Sequence, residues 1–195
     1  MMTFTKNVFI GLLPAGIIGV IVEKTIGITN SLLVIAISLI TGGVILWVVE
    51  AHFKIKPLAN GEVDYAKITT KKSIAVGFAQ ALAIIPGVSR SGATIVGGML
   101  SGLDRKTATV FSFYLSIPIM LAASALKLKD GSSQLNLITG GSKGLLLGTV
   151  ISLLVGFVAV KWLLQYVQKH NFKPFAYYRI GVGSLLLLLL ALGKI

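Results

Sequence analysis

Between Pro86 and Thr94 the chain reads PGVSRSGAT, which puts four side chains suited to binding an anion, Ser89, Arg90, Ser91 and Thr94, within six residues. Arg90 presents a planar fork of N–H donors that matches two oxygens of a phosphoryl group. The three hydroxyls add short donors, and Gly87 and Gly92 let backbone N–H groups approach a ligand closely. The chemistry these residues describe is a phosphate cradle. A helix opening at Gly92 to Thr94 would aim its free N–H groups and positive dipole end at the same anion; Thr94 has the alternative role of helix cap. Ser89 and Ser91 are also candidate nucleophiles, but a serine hydroxyl needs an adjacent base and none stands beside them, so binding is their first role. The competing structural reading is a Ser/Gly-rich break whose arginine snorkels to the lipid headgroups.

The elements that must position this segment are short and apolar. Ser73 to Ile85 precedes it and Ile95 to Leu103 follows, and neither is long enough to cross a bilayer, which takes about 20 residues. Two short halves around a Pro/Gly/Ser break predict a re-entrant hairpin over about 73–103, since irregular backbone at membrane depth survives only where protein or water satisfies it. An arginine there costs about 2.5–3.5 kcal/mol. No Asp or Glu lies within the hairpin, so the partner of Arg90 is either distant in sequence or a bound anion.

The rest of the chain supports a membrane setting. Of its 195 residues 55 % are hydrophobic and 12 % charged, more apolar surface than a soluble domain of this size buries. Runs such as Leu145 to Val160 and Ile180 to Leu192 carry no charge on any side. Five spanning helices are expected, roughly Phe4–Val22, Ser31–Val49, Ala108–Leu126, Gly144–Leu164 and Phe175–Gly193, making one all-α integral membrane domain over 1–195 with polar loops at about 51–72 and 127–143. With the hairpin re-entrant, eleven Lys and Arg residues, Arg179 counted among them, fall on one face against five on the other, which predicts a cytoplasmic N-terminus.

The net charge of +12 sits in the gaps between apolar runs, without interleaved exposed aromatics, and so reads as topology signal and anionic-lipid contact, with no nucleic-acid partner. Trp47, Trp162, Tyr166, Tyr177 and Tyr178 near helix ends suit an interfacial belt. The pairs Gly42-Gly43, Gly97-Gly98 and Gly140-Gly141 lack the context of a phosphate loop and are expected to serve close packing or turns. No cysteine is present, which removes thiolate chemistry.

The segment Pro86 to Thr94 resembles the PGxSRSxxT signature of the undecaprenyl-diphosphatase family, also called bacitracin resistance proteins. The likeness extends to Gln80, to Gly97–Pro118 and to Asn171–Gly183, and covers essentially the whole chain. It implies a membrane phosphatase of the bacterial cytoplasmic membrane that removes the terminal phosphate of undecaprenyl diphosphate, the lipid carrier of cell-wall synthesis, using Mg2+ or Ca2+. It further implies two inverted repeats, each with a re-entrant pair. On this resemblance the candidate catalytic residues are Arg90, Ser89 and Ser91. The candidate phosphate ligands are Gly87, Ser89, Arg90, Ser91, Gly92 and Thr94, with Gln80 a supporting residue behind them.

The departure from the family pattern is that this sequence lacks the family's first repeat, with paired glutamates and a Ser-Ser-Thr-Gly-His stretch, which the resemblance implies for metal binding and for the catalytic histidine. No replacement is evident among Glu23, Glu50, Glu62, Asp64, Asp104 and Asp130, all in loops or at helix ends, or in His52 and His170. The expectation is a phosphatase that works with a chain carrying that first repeat. The alternative is a non-catalytic membrane protein that binds or translocates polyprenyl phosphate.

Overall fold

The computed structural model describes residues 2–25, 31–52, 63–131 and 141–194. Its elements are helical: α1 Met2–Thr25, α2 Leu32–His52, a 3-10 turn Tyr65–Lys67, α3 Thr70–Ala81, a 3-10 turn Leu82–Ile84, α4 Arg90–Leu100, α5 Arg105–Gly131, α6 Gly141–Lys169 and α7 Lys173–Ala191. Five of them, α1, α2, α5, α6 and α7, are long and apolar enough to cross a membrane. The chain is therefore an all-α, multi-pass integral membrane protein. Along α6 every residue from Leu145 to Val160 is exposed, as expected of a helix whose solvent is lipid.

The helices overrun the apolar stretches, because backbone hydrogen bonding continues until a cap stops it. Thr69 caps α3, its hydroxyl accepting from Lys72 N at 3.5 Å, so residues 70–72 belong to a helix and not to the preceding polar loop. Likewise Lys127 and Lys129 lie in α5 and Lys143 in α6. Glu62, Lys54, Lys56 and Gly140 fall outside the described residues.

α3 and α4 are 12 and 11 residues long. At about 1.5 Å per residue they run roughly 18 and 16 Å, well short of the ~30 Å hydrocarbon core. Their outer ends meet at one end of the bundle, where Lys72 Nζ donates to Gly102 O at 3.3 Å. Asn7 near the start of α1 ties in there too, donating to Ile68 O and accepting from Thr70 Oγ1 at 3.0 Å. At the same end Arg105 of α5 donates to both carboxylate oxygens of Glu50 in α2, at 2.8 and 2.6 Å. Apolar residues Val49, Ile68, Met99, Leu103, Val167 and Phe172 fill the space between.

From this anchored end the α3–α4 hairpin runs inward, packed on α1 and α5, while α2 lies along α7. Gly97 and Gly98 make the close approaches: a Cβ on Gly97 would lie 2.5 Å from Ala79 Cβ, and one on Gly98 3.0 Å from Ala108 Cβ. Arg179 is a correction to the charge count. It is the seventh residue of α7, inside a span and not on a loop face. The bias of basic residues toward the Lys6, Lys72 and Arg105 end persists without it.

Candidate functional site

The hairpin tip is built from turn chemistry. Val88 N donates to Ile85 O at 3.1 Å, closing a β-turn with Pro86 second and Gly87 third. Gly87 has φ +87°, so the turn is of type II, with Pro presetting one position and Gly supplying the left-handed one. A second constraint falls on the same glycine: a Cβ there would lie 2.6 Å from Ile35 O and 2.8 Å from Ile35 Cα, so the turn nests on the backbone of α2.

α4 begins directly after this turn. Ser89 is its N-cap, with extended φ −68° and ψ 119° and its Oγ accepting from Gly92 N at 3.1 Å, while Ala93 N donates to Ser89 O at 2.8 Å. The cap therefore falls at Ser89 and not at Thr94, and the helix opens two residues earlier than Gly92. The N–H groups of Arg90 and Ser91 have no acceptor among the described residues, as the first turn of a helix requires. Ser89 Oγ and Ser91 Oγ lie 3.2 Å apart. Ser91 is exposed and Arg90 half-buried, and the Arg90 guanidinium meets no carboxylate or other hydrogen-bond partner among the described residues. Thus Gly87, Ser89, Arg90, Ser91 and Gly92 come together at one tip.

Thr94 does not join them. It is 1 % exposed, and its hydroxyl bonds Arg90 O at 2.9 Å and Ser112 Oγ of α5 at 2.7 Å, making it a strut between α4 and α5. Gln80 of α3 is also buried, and neither its Nε2 nor its Oε1 has a partner among the described residues. A buried amide left unpaired costs about 1–3 kcal/mol.

Two residues at the tip were not expected from the sequence. Arg179 of α7 donates from Nη2 to Ser38 O at 3.1 Å and to Gly87 O at 3.3 Å. Its Nε is buried without a partner among the described residues. The signal was present in YYRIGVG, an arginine with apolar residues on both sides inside a predicted span. Ser38 lies 12 residues from Glu50 along α2, which at ~1.5 Å per residue is about 18 Å in from the anchored end.

The described residues form no ligand set for Mg2+ or Ca2+: no group of three His, Asp or Glu is found among them. Glu50 is held by Arg105, Asp64 by Lys67 at 3.3 Å, and Asp104 caps α5 by accepting from Thr107 N at 2.9 Å. His170 stacks on Tyr166 with ring centroids 4.5 Å apart, in the connection between α6 and α7. The side chains of Glu23, His52 and Asp130 lie outside the described residues. What the tip can do with its own groups is bind an anion and neutralise its charge.

A family model described as Bacitracin resistance protein BacA matches residues 1–185. The chain is 40 % identical over 183 residues to the undecaprenyl-diphosphatase of Methanococcus aeolicus, covering 94 % of this chain and 70 % of that protein. It is 44 % identical over 189 residues to undecaprenyl-diphosphatase 3 of Acinetobacter baylyi, covering 94 % and 67 %. With the undecaprenyl-diphosphatase of Thermoanaerobacter pseudethanolicus it shares 42 % identity over 186 residues, covering 95 % and 67 %. The chain spans about two thirds of the length of these relatives.

Proposed function

The chain belongs to the bacitracin resistance protein family, and we propose that it acts on undecaprenyl diphosphate, its Pro86–Gly92 tip binding the diphosphate so that the terminal phosphate is removed. The observation that carries this reading is the tip itself: within Ser89–Ser91 stand an arginine with no carboxylate partner among the described residues, two helix N–H groups with no acceptor among them and two serine hydroxyls 3.2 Å apart. Such a set suits an anion on a lipid tail better than a soluble one, because the tip lies where an acyl or prenyl chain already runs.

Hydrolysis of the phosphoanhydride adds water to the terminal phosphorus and releases polyprenyl phosphate and inorganic phosphate. Negative charge spreads over the terminal oxygens and the departing bridge oxygen as the bond breaks. Arg90 takes two of those oxygens in its fork, and the N–H groups of Arg90 and Ser91 with the hydroxyls of Ser89 and Ser91 take the others. Ser89 Oγ accepts its cap bond from Gly92 and has no base beside it among the described residues, so binding is its first role. A base to activate water, and any carboxylates for Mg2+ or Ca2+, would have to come from outside the described residues, either from elsewhere in the polypeptide or from a partner chain. The chain works in the bacterial cytoplasmic membrane with its N-terminus in the cytoplasm, a reading supported by the crowding of basic residues at the Lys6, Lys72 and Arg105 end.

That no base stands beside the tip among the described residues favours one second reading, a protein that holds or moves polyprenyl phosphate without cleaving it. Phosphate release from a polyprenyl diphosphate by the purified chain in detergent with Mg2+ or Ca2+, wild type against Arg90→Ala, separates the two. Release that Arg90→Ala abolishes is the expected result. Tight binding of the lipid with no release, in folded protein, would replace the phosphatase by the binder.

A further inference from the structure

We propose that Arg179 is a positioning residue that holds the Pro86–Ser89 turn in its anion-binding shape, and that Gly42 is the notch that admits its guanidinium. The inference rests on the reading of that turn as a phosphate cradle. Arg179 stands 92 residues from Gly87 in sequence, yet one Nη2 bridges Ser38 O at 3.1 Å and Gly87 O at 3.3 Å. It thereby joins three elements, α7, α2 and the hairpin tip. Fixing the Gly87 carbonyl fixes the plane of the Gly87–Val88 peptide, and from that peptide the chain leads into Ser89 and the first turn of α4. Nothing within the turn itself holds this carbonyl, since the closing bond uses Ile85 O.

The two glycines of α2 have different tasks. A Cβ on Gly43 would meet Ile180 Cγ1 at 2.8 Å and Ala176 O at 2.9 Å, so Gly43 serves the close packing of α2 on α7. A Cβ on Gly42 would overlap Arg179 Nη2, and the next nearest atoms are Arg179 Cζ at 3.2 Å and Nε at 3.5 Å. The three atoms nearest to that Cβ thus all belong to the Arg179 guanidinium. If α2 and α7 needed only to pack, an apolar side chain in place of Arg179 would do so without leaving a buried Nε unpaired. The arginine is explained by what its far end holds.

The chain has no cysteine, so Val88→Cys accepts a single nitroxide label in the turn, and its EPR line shape reads the order of that turn without any ligand. The label is placed in backgrounds carrying Gly42→Ala, Arg179→Gln and Arg179→Lys. Affinity for inorganic pyrophosphate is measured on the same chains without the label, with Arg90→Ala alongside. Alanine favours the helix over glycine, so Gly42→Ala keeps α2 intact even where Arg179→Gln fails to fold.

The expected result is a more mobile label in Gly42→Ala and Arg179→Gln, with partial recovery in Arg179→Lys. Pyrophosphate binding weakens about tenfold or more, the loss of a hydrogen bond to a charged group. The double variant Gly42→Ala/Arg179→Gln binds no more weakly than Arg179→Gln alone. An unchanged line shape in folded Gly42→Ala and Arg179→Gln overturns the positioning role, and strictly additive losses overturn the notch. If Arg90→Ala binds pyrophosphate as wild type does, the cradle reading fails, while the line shape still decides whether Arg179 orders the turn.

Discussion

Replacing Gly87 by alanine is a severe test of the turn, because two independent penalties fall on one methyl group. At φ +87° the residue sits in the left-handed region, where a Cβ costs roughly 1–2 kcal/mol. The same Cβ would stand 2.6 Å from Ile35 O and 2.8 Å from Ile35 Cα, atoms of a helix backbone that cannot swing aside as a side-chain tip can. Overpacking of this kind adds about 1–3 kcal/mol. Together they amount to about 2–5 kcal/mol, and the cheapest escape is for the turn to lift off α2, which takes Gly87 O away from Arg179 and tilts the start of α4. Gly156→Ala is the control: it lies in α6 with nothing within 4 Å of its Cβ, and should stabilise that helix by up to about 1 kcal/mol. Unfolding in mixed detergent micelles measures the first effect, and phosphate release from a polyprenyl diphosphate measures the second. Gly87→Ala is expected to lose stability and most activity together. If it unfolds and turns over like wild type, Gly87 does not occupy a left-handed turn pressed on α2, and the geometry of the site is wrong.

Glu50→Gln removes one side of a bidentate pair whose carboxylate is 1 % exposed, leaving Arg105 unpaired; an unfolding free energy lower by about 3–5 kcal/mol is expected, largely recovered in Glu50→Leu/Arg105→Met. Equal stability of Glu50→Gln and wild type would mean the pair is not formed. Thr94→Val deprives the buried Ser112 hydroxyl of its partner and should cost about 1–3 kcal/mol while pyrophosphate affinity stays near wild type. A large affinity loss with intact stability would return Thr94 to the cradle. Gln80→Met removes an amide with no partner among the described residues and should raise stability by about 1–3 kcal/mol while lowering phosphate release, the trade expected of a polar group kept for function. A fall in stability instead would show that the amide is satisfied.

What was legible in the sequence was short-range. Two apolar halves too brief to span a bilayer, broken by Pro86-Gly87, describe a hairpin and even its turn type, because both rest on neighbouring residues. The start of α4 was read two residues late, since Gly92 looks like a boundary whereas the hydroxyl that closes the cap belongs to Ser89. Thr94 was grouped with the other hydroxyls by proximity in sequence, but in a helix it points along another side, and Ser112 is 18 residues away. Arg179 and Glu50 failed for a related reason. Counting charges by loop assigns each to solvent, and their partners at separations of 92 and 55 residues become visible only when α2, α5, α7 and the hairpin are packed.

Those distant contacts change what the tip means electrostatically. An arginine at bilayer depth costs about 2.5–3.5 kcal/mol, and here two of them belong to one turn: Arg179 of α7 bonds Gly87 O, and Arg90 opens the helix that follows. The N-terminus of α4 adds the equivalent of about half a positive charge at the same place. Among the described residues no carboxylate answers any of the three, and Arg179 is met only by carbonyl dipoles. Repulsion of this kind would push the elements apart if stability alone had shaped them. On the proposed function it is the arrangement a multiply charged anion requires, with donors fixed in advance by a proline, a left-handed glycine and a serine cap so that little reorganisation is needed on binding. The complement is then a ligand of at least two negative charges, and at one hundred times its dissociation constant it would stabilise the fold by about 2.7 kcal/mol. A diphosphate meets that charge, and a prenyl tail meets the lipid-facing surroundings in which the charge is set.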